Sequence, residues 1–145
     1  MLVNQIISMK PSGDIITIGP EASVADAVRL LSDKRIGAVV VSRDGKTPMG
    51  ILSERDIVRE MSKDGAGVLE RQVSDLMTSK LVTCSTGEDA MVILEQMTNG
   101  RFRHMPVVNN AGEMVGIISI GDVVSARLKE LSAEKEALTG MIMGN

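Results

Sequence analysis

A seven-residue stretch occurs twice at a fixed separation, and this restricts the folds open to the chain. Gly50-Ile51-Leu52-Ser53-Glu54-Arg55-Asp56 stands 66 residues before Gly116-Ile117-Ile118-Ser119-Ile120-Gly121-Asp122. Each copy leaves an apolar, strand-like segment and enters a helix-like one, with Ser at the helix mouth and Asp three residues on. A helix mouth carries unpaired N–H groups and the positive end of the helix dipole. Hydroxyls and phosphates can be held there. The chain therefore reads as two copies of one unit with two related clefts.

The surrounding sequence repeats as well. Ile15–Val58 aligns without a gap onto Leu81–Val124, with identities at eight of 44 positions, including Arg35/Arg101, Gly50/Gly116, Ser53/Ser119 and Asp56/Asp122. Val3–Ile7 also matches Val73–Met77, once four extra residues around Pro11–Asp14 are allowed. A unit this small buries too little apolar surface to be stable alone, so two units with similar apolar faces are expected to pack about a pseudo-two-fold axis.

Within the first unit, Val3–Ile7 reads as a short helical turn, and Pro11 and Gly13 break the pattern. The β-branched run Ile15–Ile18 predicts a strand. Ser23 opens a helix with Val24, Ala27, Val28 and Leu31 on one face, and Asp26 completes a capping box. Gly37–Ser42 predicts a buried strand, Asp44-Gly45 a turn, and Met49–Leu52 a returning strand. Ser53 caps a helix carrying Ile57, Val58 and Met61, which ends at Lys63–Gly67. The second unit follows suit: a strand at Leu81–Cys84, a helix capped by Asp89 with Ile93, Leu94 and Met97, and a hairpin of Met105–Val108 with Met114–Ile118. Ser119 caps the last helix. Beyond Val124 a narrow seam of Val124, Leu128, Leu131, Leu138 and Met141/Ile142 predicts a helix that either folds back on its own domain or meets a second copy.

Composition removes several function classes. The chain has 145 residues, 43% hydrophobic and 24% charged, which fits a globular domain. A net charge of −3 argues against a general nucleic-acid binder, and one Phe with no Trp or Tyr leaves no stacking platform for single strands. The N-terminal MLVNQIISMKPSGD shows no basic start followed by an apolar run, so neither a signal peptide nor a membrane span is expected. The single cysteine, Cys84, makes no internal disulfide or zinc site, and a cytoplasmic location is expected. The eleven methionines are scattered, as expected for core filling rather than a metal site. No P-loop, H-E-x-x-H or G-x-S-x-G motif is present, so no enzyme is expected.

The order strand–helix–strand–strand–helix, ending in G-h-h-S-x-x-D, resembles the cystathionine-β-synthase (CBS) domain. The tandem resembles the CBS pair, or Bateman module. ILSERDIVREM and MTNGRFRHMPVV, the latter followed by GIISIGDVVSARL, are similar to small stand-alone bacterial CBS-pair proteins. The likeness runs from Val3 to Leu128. It implies an α+β fold of two CBS repeats, residues 1–68 and 69–128, with a C-terminal helical tail at 129–145. It implies a non-catalytic sensor that needs no cofactor and binds AMP, ADP, ATP, NAD or S-adenosylmethionine as a regulatory ligand. A homodimer and an effector protein are the implied partners. Carried over by position, one nucleotide site has Ser53, Arg55 and Asp56 facing Val82, Phe102, Arg103 and His104. Its mirror has Ser119 and Asp122 facing Ile16, Ile36, Gly37 and Ala38. A structural module with vestigial clefts is the alternative.

Local chemistry offers a plainer role for each residue. Ser-x-x-Asp is a capping box whether or not a ribose is present, and both roles can coexist. Gly37 and Ala38 leave room for a base or for tight repeat packing. Arg55 misfits a helix start, which favours a phosphate partner, and only the Asp56 cleft also faces Arg103 and His104. That cleft is expected to take the more phosphorylated ligand. His104, the only histidine, is expected to make phosphate binding pH-dependent if it titrates near neutrality. Cys84 is expected to be a small buried hydrophobe.

Overall fold

The computed structural model describes residues 1–10 and 15–142. The break expected at Pro11 and Gly13 lies outside the described residues. The first repeat contains β1 (Thr17–Ile18), α2 (Val24–Lys34), β2 (Ala38–Val41), β3 (Gly50–Ser53) and α3 (Glu54–Asp64). It is preceded by α1 (Val3–Met9). β1 pairs in parallel with β2, and β2 antiparallel with β3, in the order β1-β2-β3. Ser23 Oγ accepts from Asp26 N at 3.1 Å and so starts α2. The reciprocal half of the expected capping box is missing, because the Asp26 carboxylate pairs with Arg29 instead. Val24, Ala27 and Leu31 are buried, whereas Val28 faces solvent. On α3 only Ile57 of the expected stripe reaches the core; Val58 is 66% exposed and Met61 also lies outside. After α3 a 3-10 helix (Gly65–Glu70) and the short α4 (Val73–Leu76) follow.

The second repeat contains α5 (Ala90–Gly100), β4 (His104–Val108), β5 (Met114–Ser119) and α6 (Ile120–Ile142). Its backbone copies the first in detail. Arg35 and Arg101 both close their helices in the left-handed conformation, at φ 54° and 57°. Glu54 N donates to Gly37 O, and Ile120 N to Arg103 O. The strand expected at Leu81–Cys84 is reduced to one parallel bridge, Cys84 to Val107. Pro106 explains the loss, since it has no N–H to donate to the segment before Cys84.

The N-terminal segments of the two repeats are exchanged. Val3 N donates to Glu88 O just as Val73 N donates to Ala22 O, so each segment closes the other repeat. Val3 and Ile6 are buried with Cys84, Ile93, Met97, Met105 and Ile118. Val68, Val73 and Leu76 are buried with Val24, Leu31, Val39, Leu52 and Ile57. Each such side chain contributes about 1.5–3 kcal/mol through removal from water. The matched glycines belong to this exchange. A Cβ at Gly50 would lie 2.6 Å from Met77 Sδ and 2.9 Å from Thr78 O, and one at Gly116 would lie 2.9 Å from Ile7 Cδ1. Met77 and Ile7 are themselves equivalent in the repeat. This reciprocal exchange is what a pseudo-two-fold relation between the units requires.

α6 runs on past the second core as one helix. Val123 and Ala126 are buried, but Leu128 is 62% exposed, and Leu131, Leu138, Met141 and Ile142 also face outward. The seam therefore does not fold back on its own domain.

Candidate functional site

Three segments enclose a cavity of about 590 Å³ between the repeats. The first repeat supplies Gly37, Ile51, Ser53, Glu54, Arg55, Asp56 and Arg59. The crossing segment supplies Thr78, Lys80, Leu81 and Val82, and the second repeat Gly100 to His104. The volume suits a nucleotide-sized ligand. The crossing segment lines the cavity for a clear reason. Thr78 exchanges backbone bonds with Ile51 (2.8 and 3.0 Å), Cys84 joins the second sheet, and Pro106 keeps the residues between out of any ladder.

Asp56 sits at the mouth of α3 and is 7% exposed. Its Oδ2 accepts from Ser53 N and Ser53 Oγ, both at 2.9 Å, while Asp56 N donates to Ser53 Oγ at 3.2 Å. Its Oδ1 accepts from Arg59 Nη2 at 2.7 Å. The capping box is thus complete, and the other carboxylate oxygen is held by the half-exposed Arg59, whose place a ligand hydroxyl can take. Opposite stand the apolar Leu81, Val82 and Phe102. A Cβ at Gly100 would collide with the Phe102 ring, so the glycine lets that ring lie against the end of α5.

The cavity is positive within an acidic chain. Five cationic side chains (Arg55, Arg59, Lys80, Arg101, Arg103) line it against two carboxylates, Glu54 and Asp56. Among the described residues only Arg59 of the five has a carboxylate within ion-pair distance. The positive end of α3 adds to this field. Burial lowers the His104 pKa below its ordinary value; Lys10 and Arg103 lower it further, and Asp122 and Glu54 partly oppose them. The imidazole is therefore mostly neutral at pH 7, and its proton uptake is shifted to lower pH than that of a free imidazole.

The structure brings Ser53, Arg55, Asp56, Val82, Phe102, Arg103 and His104 into this one cavity. The mirror set is distributed differently. Gly37 lines the Asp56 cavity instead, where an added Cβ would lie 3.7 Å from His104 Cε1. Ile16 and Ile36 pack on the first core, and Ala38 is buried opposite Ser53. Ser119 N donates to Asp122 Oδ2 at 2.9 Å, and the same oxygen receives Lys10 Nζ at 3.0 Å. Sequence reasoning missed Arg59, Lys80 and Arg101. Arg59 stands one turn after Asp56, Arg101 matches Arg35, and Lys80 appears when the Val3/Val73 alignment is extended to Lys10.

Cys84 is buried in the second core, and burial, with Glu88 nearby, pushes its thiol up to about 11. Among the described residues no group of three or more His, Cys, Asp or Glu side chains is placed to hold a metal ion. No described helix is long and apolar enough to cross a membrane.

Two interleaved α+β repeats enclosing a cavity define a tandem-repeat module. The CBS-domain family profile matches residues 3–63 and 73–129, and the chain belongs to that family. It is similar to the CBS-domain protein ATU1752 from Agrobacterium tumefaciens, with 42% identity, coverage of 88% of this chain and 99% of that one, and a TM-score of 0.83. It is also similar to the CBS-domain protein PAE2072 from Pyrobaculum aerophilum, solved in complex with AMP. There the identity is 28%, the coverage 92% of this chain and 99% of that one, and the TM-score 0.77. The mitochondrial CBS domain-containing protein CBSX3 of Arabidopsis thaliana is 36% identical over 126 residues, 84% of this chain but 61% of that protein's length.

Proposed function

We propose that this chain is a non-catalytic regulatory module that binds an adenine nucleotide in the Asp56 cavity. The observation that carries the reading is a part-buried Ser53–Asp56 box sharing one cavity with Arg55, Lys80, Arg101 and Arg103, four cations that lack carboxylate partners among the described residues. Ser53 and Asp56 suit a ribose diol, Leu81, Val82 and Phe102 suit a base, and Arg55 and Arg103 suit phosphate oxygens. The AMP complex of the Pyrobaculum protein supports an adenosyl ligand. Candidates are AMP, ADP, ATP, NAD and S-adenosylmethionine, and the excess of cations favours the more phosphorylated ones. A ligand touching both repeats stabilises one of their relative arrangements by its differential affinity. A homodimer, with the exposed seam of α6 available for contact, and an unidentified effector protein would carry the output. Light scattering with and without ATP reads the assembly.

One observation favours a second reading, an interaction module with vestigial clefts: both motif aspartates already hold cations of their own chain. Calorimetry separates the two. The nucleotide reading expects ATP or ADP to bind the parent, and the Arg55→Ala, Arg103→Ala double variant to bind at least tenfold more weakly. Equal affinity in parent and variant removes the assignment, and no heat with any of the five ligands favours the vestigial reading.

A further inference from the structure

We infer that two repeat-equivalent lysines, Lys80 and Lys10, determine which cleft takes an anionic ligand: Lys80 is a phosphate-contacting residue of the Asp56 cavity, and Lys10 is neutralised within its own cleft. The inference rests on the nucleotide reading above. The alignment that carries Ile7 onto Met77 carries Lys10 onto Lys80, and the packing bears it out, since Ile7 faces Gly116 as Met77 faces Gly50. The two lysines thus lie beside equivalent motifs, Lys80 in the cavity of Asp56 and Lys10 against Asp122.

Their surroundings differ. Lys10 Nζ lies 3.0 Å from Asp122 Oδ2 and 2.8 Å from the Ile117 carbonyl oxygen, so two acceptors hold its ammonium. The pair is sheltered, with side-chain exposures of 29% and 23%. In the first cleft Arg59, on the same helix as Asp56, holds the aspartate instead. Its repeat counterpart is Ser125, which cannot serve Asp122 in that way. Lys80 is therefore left lining the cavity with no carboxylate partner among the described residues.

Arg55 and Arg103 follow the same division, although Arg101 has Arg35 as its counterpart. Arg55 and Arg103 have Gly121 and Gly37 as counterparts, so the Asp122 cleft has no similar surplus of charge to attract a phosphate. The Asp56 cavity keeps that surplus, and Lys80 extends it onto the crossing segment that joins the repeats. A nucleoside di- or triphosphate fits this distribution, at one equivalent per chain. Arg59, whose side chain is 56% exposed, is able to turn from Asp56 to ligand phosphate when a ribose hydroxyl takes its place on the nearly buried carboxylate.

Calorimetric titration of the whole chain with ADP tests this. Expected are one ADP per chain, about tenfold weaker binding for Lys80→Met, recovery to within about twofold for Lys80→Arg, and a change within about twofold for Lys10→Met. Circular dichroism checks that each variant is folded. Two ADP per chain, unchanged affinity in Lys80→Met, or equal weakening in Lys10→Met overturns the inference and leaves the nucleotide reading standing. Absence of ADP binding to the parent overturns both.

Discussion

Asp56 and Asp122 occupy equivalent positions and close equivalent helix mouths, yet their neighbours separate them. Asp56 is nearly buried and shares Arg59 with solvent, while Asp122 is bound to a lysine from the far end of the chain. The difference was only partly legible in the sequence. Arg55 and Arg103 signalled an uneven charge, but the partners of the aspartates depend on where α1 and the crossing segment pack. His104 shows the same limit. Its ordinary pKa near 6.5 is pushed down chiefly by burial, which a sequence does not display. Below about pH 6.5 the unfolded chain takes up a proton at this residue more readily than the folded one. The contribution of His104 to stability is therefore full above that pH and lost as the pH falls through the folded pKa. Melting temperatures between pH 7.5 and 5.5 are expected to drop more steeply for the parent than for His104→Gln. Parallel slopes would mean that the ring is not held neutral by the fold.

The elements are most legible in the sequence where the signal is local. The Ser and Asp caps, the Asp44-Gly45 turn and both hairpins follow from short-range chemistry. Asp44 illustrates the turn, since its carboxylate accepts from Thr47 N and Lys46 N at 2.8 Å and is lowered to about 2 by those bonds and by Ser42. Readings that needed tertiary context failed. The Leu81–Cys84 strand was lost to Pro106 across the sheet, and Val28 and Val58 face outward because their helices bury narrower stripes than the apolar pattern implied. The matched glycines could be seen but not explained, because their reason is the exchanged segment above them. Gly50→Ala is expected to cost about 1–3 kcal/mol, since its Cβ meets a backbone carbonyl as well as Met77. At Gly116 the nearest atoms a Cβ would meet all belong to the Ile7 side chain, and Gly116→Ala is expected to cost less. Chemical denaturation of the two variants compares them directly. An equal or larger loss in Gly116→Ala would show that the Ile7 side chain cannot give way.

At the scale of the molecule, the repeat was the most informative feature of the sequence. It gave the number of units and the position of the seam between them. It did not show that the N-terminal segments are exchanged, because identical matches are compatible with each segment packing on either unit. The exchange ties the two cores together and directs the crossing segment through the cavity, so the repeats and the candidate site form one construction. It also makes one cleft positive in a chain whose net charge is −3. On the proposed reading this cleft binds an adenine nucleotide through Asp56. Thermal melting of the parent and of Asp56→Ala, each with and without ADP at about 100 times the dissociation constant, tests it most directly. A ligand that binds only the folded state adds about 2.7 kcal/mol at that concentration, which raises the melting temperature by roughly 5–10 °C for a chain of this size. That rise is expected in the parent and its loss in a folded Asp56→Ala. The same rise in both, or none in the parent, would contradict it.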